Sequence, residues 1–293
     1  MNSSYLLING IRIHYLYWNR NGNGAPIIFH HGLASNARIW EMTAPLLAKM
    51  DYALYALDAR GHGLSDKPDE GYDIETITSD LAAFIRACNL EHPLLVGHSW
   101  GGFILLNYAA RFASGPYSPC GIVLVDGGVS QLSEALPDWE EARRMLTPPP
   151  LAGMPLNEFI TRLRQWNSHW NPSEQAISIM LANFEIDEED RIYPRLKLES
   201  HMQIVRSIWD FPTFEYYPKV HCPALFIPAK PPEPMTDMDQ GYLQAKERGV
   251  AQAQATMHHL TVRWMDDAIH DIPLQRPDQL AQMIADFATQ VGV

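Results

Sequence analysis

The pentapeptide Gly97-His98-Ser99-Trp100-Gly101 constrains this chain more than any other stretch. An apolar run, Leu94-Leu95-Val96, precedes it, and a helix-like segment from Gly102 to Ala110 follows. Gly-x-Ser-x-Gly between a strand and a helix requires a very sharp turn. The serine sits there in a strained backbone conformation with its hydroxyl above the sheet. The flanking glycines let strand and helix approach without a Cβ clash. The serine then stands at a helix N-terminus, where free N–H groups and the dipole favour a developing negative charge. Ser99 is therefore the candidate nucleophile.

A turn of this kind needs a sheet beneath it, and the neighbouring sequence supplies one. Ile11–Tyr17 alternates like a strand, and Asn21-Gly22-Asn23-Gly24 marks a turn. Short apolar runs follow at Ala25–His30, Tyr52–Leu57 and Cys120–Val125. Helical patterns lie between them, at Glu41–Met50 and Ile74–Cys88. Continuous apolar strands separated by helices predict an α/β fold, a mostly parallel central sheet with helices on both faces. Strand signals return at Pro223–Pro228 and Leu260–Met265, and the chain closes with a helix from Pro277 to about Thr289.

After Gly128 the alternation breaks. Helix-like segments, the Pro148-Pro149-Pro150 stop and the acidic stretch Glu185–Asp190 fill the region to about Tyr217. Aromatics are dense there, among them Trp139, Phe159, Trp166, Trp170, Phe184, Trp209, Phe211, Phe214, Tyr216 and Tyr217. The expected organisation is a core domain over 1–128 and 218–293, with 129–217 inserted as a helical cap, or lid.

With 293 residues the chain is long enough for a large core, and 46% hydrophobic with 19% charged residues is ordinary for a soluble globular protein. The net charge of −12 opposes binding to a nucleic-acid backbone. No apolar run approaches the roughly 20 residues that span a bilayer, and Met1-Asn2-Ser3-Ser4 lacks a signal peptide's basic and apolar regions. The three cysteines, Cys88, Cys120 and Cys222, are widely spaced and match no metal pattern. These features predict a cytoplasmic protein with reduced thiols, no metal, no cofactor, and no nucleic-acid or membrane partner. The expected partner is a small-molecule substrate, and a homodimer is left open.

A serine hydroxyl needs a general base at neutral pH. Of 12 histidines, His270 lies between the last strand and the last helix, at the sheet end that also presents Ser99. The pairs His30-His31 and His258-His259 lack spaced partners for a metal and read as structural. Two backbone N–H groups must face the tetrahedral oxygen of an acyl-transfer reaction. The candidates are Trp100, next to the serine, and Leu33, in the His31-Gly32-Leu33 loop where Gly32 permits close approach.

These pieces together resemble the α/β-hydrolase superfamily, in its lidded branch of esterases, lactonases, C–C hydrolases, proline iminopeptidases, haloalkane dehalogenases and epoxide hydrolases. The matching residues are His31-Gly32, the loop Asp58–Ser65, the Gly97–Gly102 elbow, Leu124-Val125-Asp126 and Ile269-His270-Asp271. They span nearly the whole chain outside the lid. The resemblance implies the α/β-hydrolase fold, a lid and a Ser–His–acid triad in the chain order Ser, acid, His. The Asp58–Ser65 loop resembles a family scaffold turn and is not assigned to catalysis.

One departure matters. In most such proteins the acid follows the strand that is here Ala224–Ile227, but this chain reads Ala229-Lys230-Pro231-Pro232-Glu233-Pro234. Asp126, at the position some dehalogenases of the superfamily use, is favoured to orient His270. Glu233 is the alternative, with Asp237 or Asp239 behind. Asp126 also has a simpler reading, as a residue that fixes the loop at Gly127-Gly128.

Serine does not fit the aspartate-ester chemistry of the dehalogenases and epoxide hydrolases; it fits acyl transfer through an acyl-enzyme. With lid residues around an apolar pocket, the expected activity is hydrolysis of a carboxylic ester or lactone of a small, largely apolar substrate. A proline iminopeptidase-like aminopeptidase is the alternative, with Glu140, Glu141, Glu185, Glu188 and Glu189 available to hold an ammonium group. A non-catalytic small-molecule receptor is the second alternative.

Overall fold

The computed structural model describes residues 1–166 and 170–293. Eight strands form the central sheet: β1 (Asn2–Ile8), β2 (Ile11–Trp18), β3 (Ile27–His30), β4 (Leu54–Leu57), β5 (Leu94–His98), β6 (Gly121–Val125), β10 (Ala224–Ile227) and β11 (Leu260–Val262). Their order is β1-β2-β4-β3-β5-β6-β10-β11, and β2 alone runs against its neighbours. β1 was not marked by the sequence pattern, because Asn2-Ser3-Ser4 carries little strand preference. Its signal is the two-residue turn Asn9-Gly10, where φ of 46° and 79° matches a hairpin whose central residues both need positive φ.

The central strands sort their side chains with period two. Leu95, Ile122, Leu124 and Phe226 face one layer, with α2 (Ile74–Ala87) and α3 (Trp100–Arg111). Leu94, Val96, Val123, Val125, Leu225 and Ile227 face the other, with α1 (Ala44–Ala48) and α12 (Pro277–Gln290). Each strand is buried on both faces, which is why β5, β6 and β10 read as continuous apolar runs. The helical pattern of Glu41–Met50 contracts to α1, with Pro45 in its first turn and a short 3₁₀ turn over Ala37–Trp40 before it.

Between β6 and β10 the chain builds α4 (Leu132–Ala135), α5 (Trp139–Leu146), α6 (Leu156–Trp166), α7 (Glu174–Leu181), α8 (Leu198–Asp210) and α9 (Thr213–Tyr216). This segment is not wholly helical, as the sequence suggested. β7 (Met154–Pro155), β8 (Phe184–Ile186) and β9 (Arg191–Pro194) make a small sheet in the order β7-β9-β8. The acidic stretch 185–190 is largely the turn between β8 and β9, in which the Asp187 carboxylate accepts from the N–H groups of Glu189 and Arg191. Ile192 of β9 is buried among Phe159, Leu163 and Ile177, giving the insertion a core of its own. Among the described residues, no helix is long and apolar enough to cross a membrane.

A long helix lies where the sequence reading placed none. α10 (Asp237–Thr256) runs for 20 residues after β10 and opens on a capping box between Thr236 and Asp239. Asp237 and Asp239, weighed as acids, belong to the first turn of this helix. α11 (Ile272–Gln275) precedes α12.

Candidate active site

Strand register assembles the site. His98 pairs with Val125 across β5 and β6, and Val125 pairs with Ile227 across β6 and β10. The residues one step beyond, Ser99 and Asp126, therefore leave the carboxyl ends of adjacent strands side by side. Ser99 N donates to Val125 O at 3.0 Å, and Asp126 N donates to Ile227 O at 3.0 Å, continuing the ladder to the sheet edge. In open α/β sheets this edge is where ligands bind.

The elbow is as tight as the glycine spacing implies. Ser99 has φ 53° and ψ −117°, a region that side chains rarely adopt and that costs about 1–3 kcal/mol. A Cβ on Gly97 would stand 2.6 Å from Gly101 C, and one on Gly101 would stand 2.6 Å from His30 O. Gly32 brings its loop against the serine, since a Cβ there would lie 3.0 Å from Ser99 Cβ. That loop is held by the buried His31, whose Nδ1–H donates to Gly32 O at 2.7 Å while its Nε2 accepts from Ala59 N at 3.0 Å. Leu33, Ser99 and Trp100 all line one cavity. Trp100 is the first residue of α3, so its N–H has no intrahelical acceptor.

Three side chains from distant parts of the sequence meet here. Ser99 Oγ lies 2.8 Å from His270 Nε2, and His270 Nδ1 lies 2.7 Å from Asp126 Oδ2. The Asp126 side chain is fully buried, whereas 56% of the imidazole is open to the cavity. Burial opposes ionisation of Asp126, but the hydrogen bond and charge of His270, then Lys246, prevail and hold its carboxyl at about 2. With the carboxylate ionised, Nδ1 carries the proton and donates it to Asp126, leaving Nε2 to accept from the serine hydroxyl. Surrounding protein disfavours the imidazolium, but the Asp126 hydrogen bond and charge outweigh it and raise the His270 pKa above 6.5. A base so placed can take the hydroxyl proton as the serine oxygen attacks.

His98 holds the backbone carbonyl of His270. Its Nε2–H donates to His270 O at 2.9 Å, and burial, then the nearby His270, lowers its own pKa to about 4, so the ring is neutral at pH 7. His30 is likewise buried, and burial lowers its pKa to about 4. His258 and His259 are exposed. Asp58 is part of a buried scaffold, accepting from Ala37 N at 2.6 Å, Leu64 N at 2.8 Å and His14 Nδ1 at 2.8 Å.

The structure does not bring Glu233 to His270. Glu233 lines the cavity rim and accepts from Met235 N at 3.2 Å. Ala229, just past the end of β10, donates its backbone N–H to Asp126 Oδ1 at 2.8 Å. The sequence reading missed Lys246 of α10, whose ammonium lies 2.8 Å from Asp126 Oδ1 and 3.0 Å from both Asp126 Oδ2 and Ala229 O. Little in the sequence marks it: Lys246 adjoins a buried stripe made mainly of the small residues Ala245, Gly249 and Ala253, beside Val250.

The cavity above Ser99 has a volume of about 970 Å³. The insertion contributes Leu132, Leu146 and Ile208 to its wall, together with Val129 and Ser130. None of the lid aromatics named from the sequence lines it. They pack on one another, Phe211 on Tyr216 at 4.3 Å, Phe159 on Phe184 at 4.7 Å and Trp139 on Trp209 at 5.6 Å. Glu140, Glu141, Glu185, Glu188 and Glu189 are exposed and absent from the cavity wall. Among the described residues, no group of three or more His, Cys, Asp or Glu side chains could hold a metal ion.

Comparison with known proteins agrees with this architecture. The chain is 28% identical over 288 residues to N-formylmaleamate deformylase of Pseudomonas putida, covering 95% of this chain and 93% of that protein. It is 34% identical over 130 residues to a non-heme chloroperoxidase of Streptomyces lividans, a match covering 44% of this chain and just 47% of the relative. Among solved structures, E-2-(acetamidomethylene)succinate hydrolase superposes with a TM-score of 0.77 at 23% identity, over 98% of this chain and 99% of that one. The family model described as the alpha/beta hydrolase fold matches residues 25–224, and the chain belongs to that family.

Proposed function

We propose that this chain is a serine hydrolase that cleaves a carboxylic ester or lactone with a substantial apolar part. The observation that carries the reading is the continuous hydrogen-bonded series from Ser99 through His270 to Asp126, open to an apolar cavity. Ser99 Oγ attacks the carbonyl carbon while its proton passes to His270 Nε2. The carbonyl oxygen becomes an oxyanion facing the Leu33 and Trp100 N–H groups. The leaving alcohol takes the proton from His270, and the acyl group stays on Ser99. Water then gives a proton to His270, attacks the acyl carbon and releases the acid. Asp126 holds the imidazole in the required tautomer and stabilises its cation. The small-molecule substrate reaches Ser99 beneath the insertion at 129–217, which acts as a cap.

A second reading, hydrolysis of an N-acyl amide, draws on the deformylase relative, whose match runs along nearly the whole chain. It uses the same residues, with an amine as leaving group. The iminopeptidase reading loses its support, because the lid carboxylates it needs do not face the cavity. Reaction with a fluorophosphonate tests the serine chemistry: stoichiometric labelling of Ser99 is expected, and folded protein that stays unlabelled overturns it. Turnover of 4-nitrophenyl esters against N-formyl amides of matched size then decides between the two leaving groups.

A further inference from the structure

We infer that Lys246 is a positioning residue of this site, pinning the Asp126 carboxylate and setting the proton affinity of His270 through it. The inference rests on the Ser99–His270–Asp126 reading and adds a fourth member to it. Asp126 makes four near contacts with three partners: Ala229 N and Lys246 Nζ at Oδ1, and His270 Nδ1 and Lys246 Nζ at Oδ2. Both carboxylate oxygens therefore meet the ammonium, and only 16% of the lysine side chain is exposed. A buried charge pair with further hydrogen bonds is strongly directional, and removing one partner strands the other.

The arrangement explains how the acid can stand after β6. Ala229, where the backbone leaves β10, is bound from both sides: its N–H by Asp126 and its carbonyl by Lys246. Lys246 thus ties α10 to the acid and to the strand that usually bears one. Helix placement depends on Gly249, which packs so closely on Val129 O that a Cβ would overlap it. Val129 lies three residues past Asp126, so this contact and the ion pair fix α10 to the same loop.

The charge has a consequence for the base. An isolated carboxylate at Nδ1 stabilises the imidazolium fully; a carboxylate already facing an ammonium stabilises it less. The other groups around the ring are Asp271 beside it in the chain and neutral His98, with ring centroids 4.9 Å apart. Glu233, Asp239, Asp267 and Arg276 line the same cavity. Lys246 is the one cation besides His270 that is ion-paired with Asp126 among the described residues. Its charge keeps the imidazole neutral, and able to accept a proton, to lower pH than Asp126 alone would allow.

The test is the titration of His270 by NMR on histidine-labelled protein, in wild type, K246Q, K246M and K246R. The His270 pKa is expected to rise by about one unit in K246Q and K246M and to stay near wild type in K246R. Fluorophosphonate labelling of Ser99 below neutral pH should then slow roughly tenfold in K246Q and return in K246R. K246Q keeps a donor for the carboxylate, so it reports the charge even where K246M fails to fold. An unchanged His270 titration in folded K246Q overturns the inference. Failure of wild type to label at Ser99, with the NMR shift present, overturns the hydrolase reading instead.

Discussion

Asp126 and Ser99 are both held at positive φ, 45° and 53°, on adjacent strand ends. Such conformations persist only where surroundings over-determine them. A Cβ on Gly127 would overlap Ser99 O, so the turn after Asp126 and the turn at Ser99 are fitted to one another. This coupling makes Asp126 hard to replace. Asp126→Asn keeps the volume but loses the charge that fixes the tautomer, and kcat for ester hydrolysis is expected to fall by about 10³–10⁴. Glu233→Gln should leave kcat nearly intact, and the opposite ranking in steady-state assays would return the acid to Glu233. The pH dependence follows from the same groups. In the proposed mechanism His270 accepts the proton as a neutral imidazole, so kcat/KM should rise with pH through a midpoint above 6.5, while Asp126, at about 2, stays ionised throughout. For stability the sign is set by the depressed carboxyl: its contribution is full above about 3.8 and lost as pH falls towards 2. Acid unfolding of Asp126→Asn, followed by circular dichroism, should therefore be less steep over that interval than that of wild type.

At the scale of elements, α10 carries a conflict that can be read in sign. Alanine is intrinsically better than glycine in a helix by about 1 kcal/mol. Gly249, however, sits in mid-helix against Val129 O with no room for a methyl group. Backbone cannot give way as a flexible side chain does, so Gly249→Ala should lower the Tm and also reduce kcat by drawing Lys246 from Asp126. A higher Tm with unchanged kcat would show that α10 does not need this contact. The helix also marks where sequence reading falls short. β3, β5, β6 and β10 were legible because strands buried on both faces leave continuous apolar runs, and the elbow because its glycines have steric reasons. α10 was not, because its residues are polar on most faces and its buried stripe is made of Ala245, Gly249 and Ala253 beside Val250. Small residues carry almost no hydrophobic signal, although they permit the closest packing. The partner of Asp126 was hidden with the helix, whereas Asp126 itself could be proposed from its place after an evident strand.

For the molecule as a whole, the insertion forms part of the wall of the cavity above Ser99, and its aromatics mislead if read as cavity lining. Trp139, Phe159, Phe184 and Trp209 are consumed in lid packing, where Arg206 also lies 4.8 Å from the ring centroids of both Trp139 and Trp209, while Phe211 and Tyr217 pack on Phe103 and Phe226 of the core. Beside this apolar packing, polar contacts join lid and core, such as Lys197 with Asp69 at 2.7 Å, Ile74 N with Ser207 Oγ at 2.9 Å, and Asn36 with Asn183. What the lid offers the cavity is mainly aliphatic, Val129, Leu132, Leu146 and Ile208, in a wall that also includes Phe103 of the core. At about 970 Å³ the space is near the top of the roughly 300–1,000 Å³ range for small-molecule sites, far more than an acetyl group fills. Size selection should therefore favour long or bulky acyl chains, and it should reside in these lid residues rather than in the triad. Leu146→Trp, at a half-buried position in the cavity wall, is expected to lower kcat/KM for 4-nitrophenyl decanoate at least tenfold. The same change should alter hydrolysis of 4-nitrophenyl acetate by less than about threefold, since the acetyl group leaves the distal cavity empty in both proteins. Equal losses on the two esters would mean that the substitution disturbs Ser99 or His270 and that the lid wall does not read chain length.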